Sequence, residues 1–132
     1  MFEKKIAHLS MLQAVITRMA GNSALLKGWA VAIIAASFAL AAKDADMRFI
    51  LIAYVPAITF WILDAYYLRQ ERLFRDLYNF VATKSEDDID FSMNTSQFTQ
   101  SGLSAFFAMV NSLFYGFLVV LTIVVMFVFP HV

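Results

Sequence analysis

The sequence has no cysteine. That excludes disulfides, thiol nucleophiles and cysteine-ligated metals, and leaves the redox compartment open. It has no net charge either, so no bulk field recruits nucleic acid. The most telling absence is local. Between Asp90 and His131 there is no charged residue at all. Inside that window, residues 103–129 read LSAFFAMVNSLFYGFLVVLTIVVMFVF. Crossing a bilayer core takes about 20 predominantly apolar residues, so this run predicts an integral membrane protein. Most soluble-enzyme readings fall with it.

Composition agrees: 61% of the residues are hydrophobic and mean hydropathy is +0.71. At 132 residues the chain is one domain. Two further spans are readable. Residues 24–42, ALLKGWAVAIIAASFALAA, form the first, with Lys27 snorkelling and Asn22 or Ser23 as cap. Ala39-Leu40-Ala41 resembles a signal-peptide cleavage site. The long preceding segment and the span that follows at once argue against that reading. Residues 49–68, FILIAYVPAITFWILDAYYL, form the second span. Pro56 lies mid-span, where it should kink the helix, and Trp61, Tyr66 and Tyr67 suit an interfacial aromatic belt. Only residues 43–48 separate these spans, which forces an antiparallel hairpin.

Two helices are expected outside the bilayer. Residues 5–20 carry Ile6, Leu9, Leu12, Ile16 and Met19 on one face, with Gly21 as a stop. This amphipathic helix should lie in the interface or pack on a neighbouring copy. Residues 69–82 extend span two, with Leu73, Leu77, Phe80 and Val81 as an apolar stripe. Glu71 and Arg75 form a well-oriented pair one turn apart. Asn94 with Gln97 is a candidate start for the last helix. The expected architecture is all-α: three transmembrane helices, an amphipathic N-terminal helix and a helical extension of span two. So few helices enclose little, so a homo-oligomer is expected.

Orientation follows from the basic residues. Eight of the ten, at 4, 5, 18, 27, 69, 72, 75 and 84, fall on the side of the N-terminus and second linker. That side is expected to be cytoplasmic, with the C-terminus across the membrane. His8 and His131 then lie on opposite sides, so no histidine-based catalytic set or metal cluster forms within a protomer. Glu86, Asp87, Asp88 and Asp90 lack the alternating ligands and turn glycine of an EF-hand, and read as a solvated acidic turn. Asp44 and Asp46 read the same way. Neither catalysis, cofactor nor metal is expected.

Ionisable groups within spans are functional candidates by default. Lys27 lies about one turn inside the start of span one, and Asp64 about one turn inside the end of span two. On antiparallel helices these depths coincide. They can form a simple ion pair or contribute to a gate. Small residues recur every fourth position, as Gly28, Ala32 and Ala36 and as Ser104, Ala108, Ser112 and Gly116. Such stripes let helices approach closely. A sharper alternative puts Ser104, Ala108, Asn111, Ser112, Tyr115 and Gly116 on a pore-lining face. Arg69, Arg72 and Arg75, interleaved with aromatics such as Tyr78, can hold phosphates and stack bases, or anchor the chain at anionic headgroups.

The stretches HLSMLQAVITRMAGNSALLKGWAV, LIAYVPAITFWILDAYYLRQERLFRDLY and EDDIDFSM resemble a family of small bacterial membrane proteins. Some members are encoded beside nucleotidyltransferases in anti-phage defence systems, the Hailong-type membrane effector among them. The resemblance covers roughly residues 8–93, and span three matches only as a generic hydrophobic helix. It implies a multi-pass protein of the bacterial inner membrane, assembled as a homotetramer. It further implies a regulated pore that depolarises the membrane in abortive infection. The controlling signal would be a nucleotide or short single-stranded oligonucleotide made by the partner nucleotidyltransferase. A non-conducting scaffold that recruits a partner through its cytoplasmic helices is the competing expectation. A small transporter is disfavoured by the few polar groups within the spans.

Overall fold

The computed structural model describes residues 2–44, 46 and 48–128. Among the described residues all regular structure is helical. Helix α1 spans Glu3–Asp44, α2 Arg48–Ala82, α3 Gly102–Phe106 and α4 Met109–Val128, with one 3-10 turn at Glu86–Asp88. Helices α1, α2 and α4 are each long and apolar enough to cross a membrane. The predicted end of span three at Phe129, and the C-terminal residues His131 and Val132, lie outside the described residues.

Helix α1 corrects the expectation of two separate helices. It runs through Gly21 without interruption over 42 residues. A lone glycine within a helix costs only about 1 kcal/mol relative to alanine, and both halves of α1 pack along α2. Ser23 is therefore no cap, and its hydroxyl is free for a tertiary bond. Helix α2 likewise runs unbroken through Pro56. At about 1.5 Å per residue, α1 and α2 are ~63 and ~53 Å long, well beyond a bilayer core of about 30 Å. Both therefore carry long extensions at the linker end.

The 5–20 segment does not lie free or wait for a neighbour. Its face His8, Leu12, Val15 and Ile16 is buried. Leu12 packs with Leu77 and Val81 of the α2 extension, and linker residues Ile89, Met93 and Phe98 close over them. The antiparallel hairpin makes this pairing unavoidable, because both extensions leave the bundle side by side. Phe80, expected on the same stripe, is instead exposed and meets Phe98 edge-on at 6.0 Å. A second core, of Ala30, Ile34, Ala53, Ala57, Tyr115 and Leu118, joins α1, α2 and α4. Outside it, Leu25, Trp29, Val55, Leu113 and Phe117 are 62–68% exposed. An apolar exterior of this extent suits lipid and is a liability in water.

At the tight turn, the Asp46 carboxylate accepts the Arg48 amide at 3.0 Å and its guanidinium at 2.7 Å. The Arg48 side chain, then its backbone N–H, hold the Asp46 carboxyl below its ordinary range.

The acidic linker turn does more than stay solvated. Glu86 accepts the backbone N–H groups of Lys4 at 2.8 Å and Lys5 at 3.0 Å. It thus caps the first turn of α1 from the far end of the hairpin, where a carboxylate also meets the positive end of the helix dipole. His8, fully buried, sits with Nε2 2.8 Å from the Ser92 carbonyl, and its Nδ1 has no partner. Phe91 beside it holds φ 55°, in the left-handed region that costs non-glycine residues energy. Asn94 does not start a helix. Its side chain accepts Ser96 N–H at 2.9 Å in a local turn, and Ser101 caps α3 through the Ser104 N–H.

Partial desolvation pushes the Glu86 carboxyl up, but the Lys4 and Lys5 amides together hold it below its usual 4.5. A lowered folded pKa means the cap contributes fully above that ordinary value and is lost as pH falls through the lowered one. In hydrogen exchange near neutral pH, Glu86→Ala should reduce protection of the α1 first turn at least tenfold. Mutant and wild type should converge in acid. Equal protection at neutral pH would show that the cap is idle.

Candidate functional site

Five polar side chains converge between α1, α2 and α4. Asp64 is fully buried, while the Lys27 side chain keeps 18% exposure. Lys27 Nζ has three donors, and each finds an acceptor. Asp64 Oδ2 lies at 2.5 Å, Ser23 Oγ at 2.9 Å and Asn111 Oδ1 at 3.1 Å. Asp64 accepts two further hydrogen bonds. Its Oδ2 also accepts the Tyr115 hydroxyl at 2.8 Å, and its Oδ1 accepts the Ser23 hydroxyl. The ammonium also stands 5.7 Å from the Tyr115 ring centroid.

Local sequence explains the geometry. Ser23 and Lys27 are one helical turn apart on α1, so they present neighbouring groups. Asn111 and Tyr115 do the same on α4. Asp64 enters from α2 between them. Burying unpaired charges costs several kcal/mol, and this is offset only when the remaining donors and acceptors are satisfied.

The third apolar stretch is not one helix. Helix α3 ends at Phe106 and α4 starts at Met109, a break that nothing in the FFAMV sequence announces. Side chains replace what the backbone loses. Trp61 Nε1 donates to the Phe106 carbonyl at 2.7 Å, and Asn111 Nδ2 donates to the Ala105 carbonyl at 3.3 Å. The Trp61 ring also stacks on Phe106 with centroids 4.2 Å apart. Trp61 thus braces the break and does not belong to a lipid-facing belt. Irregular backbone at membrane depth needs such partners.

Beside the break is a cavity of about 340 Å³ whose lining includes Ser23, Lys27, Glu71, Arg72, Met109 and Asn111. It reaches the polar cluster and supplies the residual exposure of Lys27.

The structure divides the other expected sets. Of the expected pore-lining face on the third stretch, Asn111 and Tyr115 point into the bundle. Ser104 is exposed and accepts Arg72 Nη1 at 3.2 Å, while Ala108, Ser112 and Gly116 are half-buried. Arg69, Arg72 and Arg75 do not form one phosphate cradle. Arg69 Nε donates to the Gln100 carbonyl at 2.8 Å. Arg75 pairs with Glu71 at 2.9 Å, and Tyr78 shares a separate cleft with Arg75, Gln13 and Ile16. Gly28, Ala32 and Ala36 all face outward, and a Cβ at Gly28 would meet nothing within 4 Å. Ser23 and Trp61 were missed as site residues. The only signal for them was their position one turn from Lys27 and Asp64 respectively.

Comparison with protein-family models, curated proteins and solved structures finds no match to this chain.

Removing one partner of a buried pair is the costly change. Asp64→Asn and Lys27→Met should each destabilise the bundle by about 3 kcal/mol. The double variant should lose less than the sum, by roughly 0.5–3 kcal/mol. Chemical unfolding in detergent measures this, and strictly additive losses would show that the two groups do not interact.

Proposed function

We propose that this chain is a non-enzymatic membrane effector whose copies assemble into a regulated ion-conducting pore. The observation that carries this reading is the Lys27–Asp64 cluster beside a broken helix and a cavity. Charged groups inside apolar helices mark ion pathways and gates more often than ornament. A helix interrupted at membrane depth is a ready site for movement. The outward stripe of Gly28, Ala32 and Ala36, unused within the protomer, supports close contact between copies. The resemblance of residues 8–93 to defence effectors supports a homotetramer in the bacterial inner membrane. It also favours depolarisation as the output and a nucleotidyltransferase-made nucleotide or oligonucleotide as the signal. Since Asn111 is spent on Lys27, it acts on gating through the cluster and not as a lining group.

One observation favours a non-conducting scaffold instead. The linker and α2 enclose a polar cleft of about 300 Å³ lined by Lys84, Asp90, Ser92 and Asn94, a surface suited to a partner.

Controlled expression in bacteria with a potential-sensitive dye separates the two. We expect wild type to depolarise cells. Asn111→Leu, at equal membrane abundance, should change depolarisation at least tenfold, because Lys27 loses one of its three acceptors. No depolarisation by wild type, with or without a co-expressed partner nucleotidyltransferase, would leave the scaffold.

The eight-to-two basic bias puts the N-terminus and residues 83–101 in the cytoplasm. A reporter active only in the periplasm should be active when fused after Val132 and silent within residues 84–90. The reverse pattern would invert the arrangement and move the Lys27 cluster to the opposite leaflet.

A further inference from the structure

The arginine that leaves the bundle first has an unspent charge. Arg69 lies five residues beyond Asp64, about 7.5 Å along the helix axis. That places it at the level of a headgroup when Asp64 lies one turn inside. Its Nε is fixed by the Gln100 carbonyl. Neighbouring carboxylates are committed elsewhere: Glu71 to Arg75, and Asp76 to Gln100 Nε2 at 2.8 Å. Among the described residues Arg69 forms no ion pair.

Below this guanidinium, α2 and α3 leave a groove of about 320 Å³. Ile62, Ala65, Leu103 and Phe106 form its almost wholly apolar walls, and the side chains of Tyr66 and Arg69 border it. Tyr66 is 55% exposed and Leu103 72%, so the groove opens outward.

We propose that this groove binds one anionic phospholipid, its phosphate on the Arg69 guanidinium and an acyl chain between α2 and α3. An apolar groove in a bilayer is always filled by some chain, so selectivity has to come from the headgroup. A planar guanidinium already held through Nε presents its remaining N–H groups to phosphate oxygens in a fixed fork. Charge complementarity therefore selects the anionic lipid over a zwitterionic one. The bound lipid bridges α2 to α3, the short helix just before the break, and stabilises the third stretch as it stands. This inference rests on the chain lying in a membrane and does not depend on conduction.

The test uses the full chain purified in a neutral detergent and melted with added phosphatidylglycerol, phosphatidylcholine or inorganic phosphate. Phosphatidylglycerol should raise the melting midpoint by about 5 °C or more at saturation, and the other two should not. Arg69→Gln should lose most of that shift. Leu103→Gln, at an exposed position that does not threaten folding, should require several-fold more lipid. Arg75→Gln, whose partner is Glu71, should respond like wild type. An equal shift with phosphatidylcholine would overturn the headgroup contact. An equal shift with inorganic phosphate would reduce the site to a free anion site. A full shift in Arg69→Gln would also overturn the proposal. If Arg69→Gln fails to fold, wild-type lipid selectivity and Leu103→Gln still decide it. Selective lipid binding without depolarisation would leave the lipid site standing and remove the pore. Depolarisation without lipid selectivity would do the reverse.

Discussion

The ion pair between Lys27 and Asp64 fixes the relation of every long helix to the others. Apolar packing in lipid is weakly discriminating, because lipid tails are as apolar as the side chains they replace. A buried ammonium discriminates strongly, since each of its three N–H groups must find an oxygen. Here they find one on α1, one on α2 and one on α4. That sets the register of α1 against α2 and the rotation of α4. Sliding α1 by one residue would rotate Lys27 by about 100° and leave Asp64 buried without its cation.

The break in the third stretch belongs to the same set of demands. Asn111 faces two directions at once, its oxygen to Lys27 and its nitrogen to the Ala105 carbonyl. Trp61 supplies the donor for the next carbonyl. The irregular turn is thus held by residues from α2 and α4, and it is tied to the charge cluster through Asn111. From the other side, Arg72 holds Ser104 of α3 and Arg69 holds Gln100, so the linker reaches the break through two guanidinium groups. At its far end the same linker is pinned to α1 by Glu86 and His8. Contacts therefore run without a gap from the start of α1, through the linker, to the break beside Lys27.

Much of the scaffold was readable from composition and length alone. The uncharged runs and the short turn between spans one and two require a helical hairpin, and α1 and α2 form one. Equal depth on antiparallel helices singles out Lys27 and Asp64, and these two residues are in contact in the structure. What was not readable has physical reasons. Gly21 looked like a stop because the cost of a lone glycine is visible locally, while the packing on α2 that outweighs it is not. The break at Phe107 has no proline or glycine to mark it, and the Phe106 carbonyl beside it is satisfied by Trp61, which lies 45 residues away in sequence. Glu86 caps a helix that begins more than 80 residues earlier, so no local capping pattern exists to be found. Tyr115 and Asn111 share an expected pore-lining face with the small-residue stripe in sequence, but one residue's rotation about the helix separates a bundle-facing group from an outward one.

The distribution of polarity limits how copies of this chain can associate. Within the apolar stretches of the three long helices the strongly polar side chains Lys27, Asp64 and Asn111 are drawn into one cluster, and the outer face keeps bulky apolar residues beside Gly28, Ala32 and Ala36. Any contact between copies at that face would therefore lack hydrogen bonds to enforce it and would have to come from close backbone approach, which small residues permit. Such interfaces are shape-specific yet modest in energy, so they can be rearranged without stripping a buried charge of its partner. The protomer is built the opposite way: opening its Lys27 cluster exposes a carboxylate and an ammonium together. Shifting α4 at its broken end would take Asn111 from Lys27 and Tyr115 from Asp64 but leave the ammonium and carboxylate paired, so it costs less than pulling α1 from α2. The third stretch is accordingly the part of the bundle whose displacement would leave the ion pair intact.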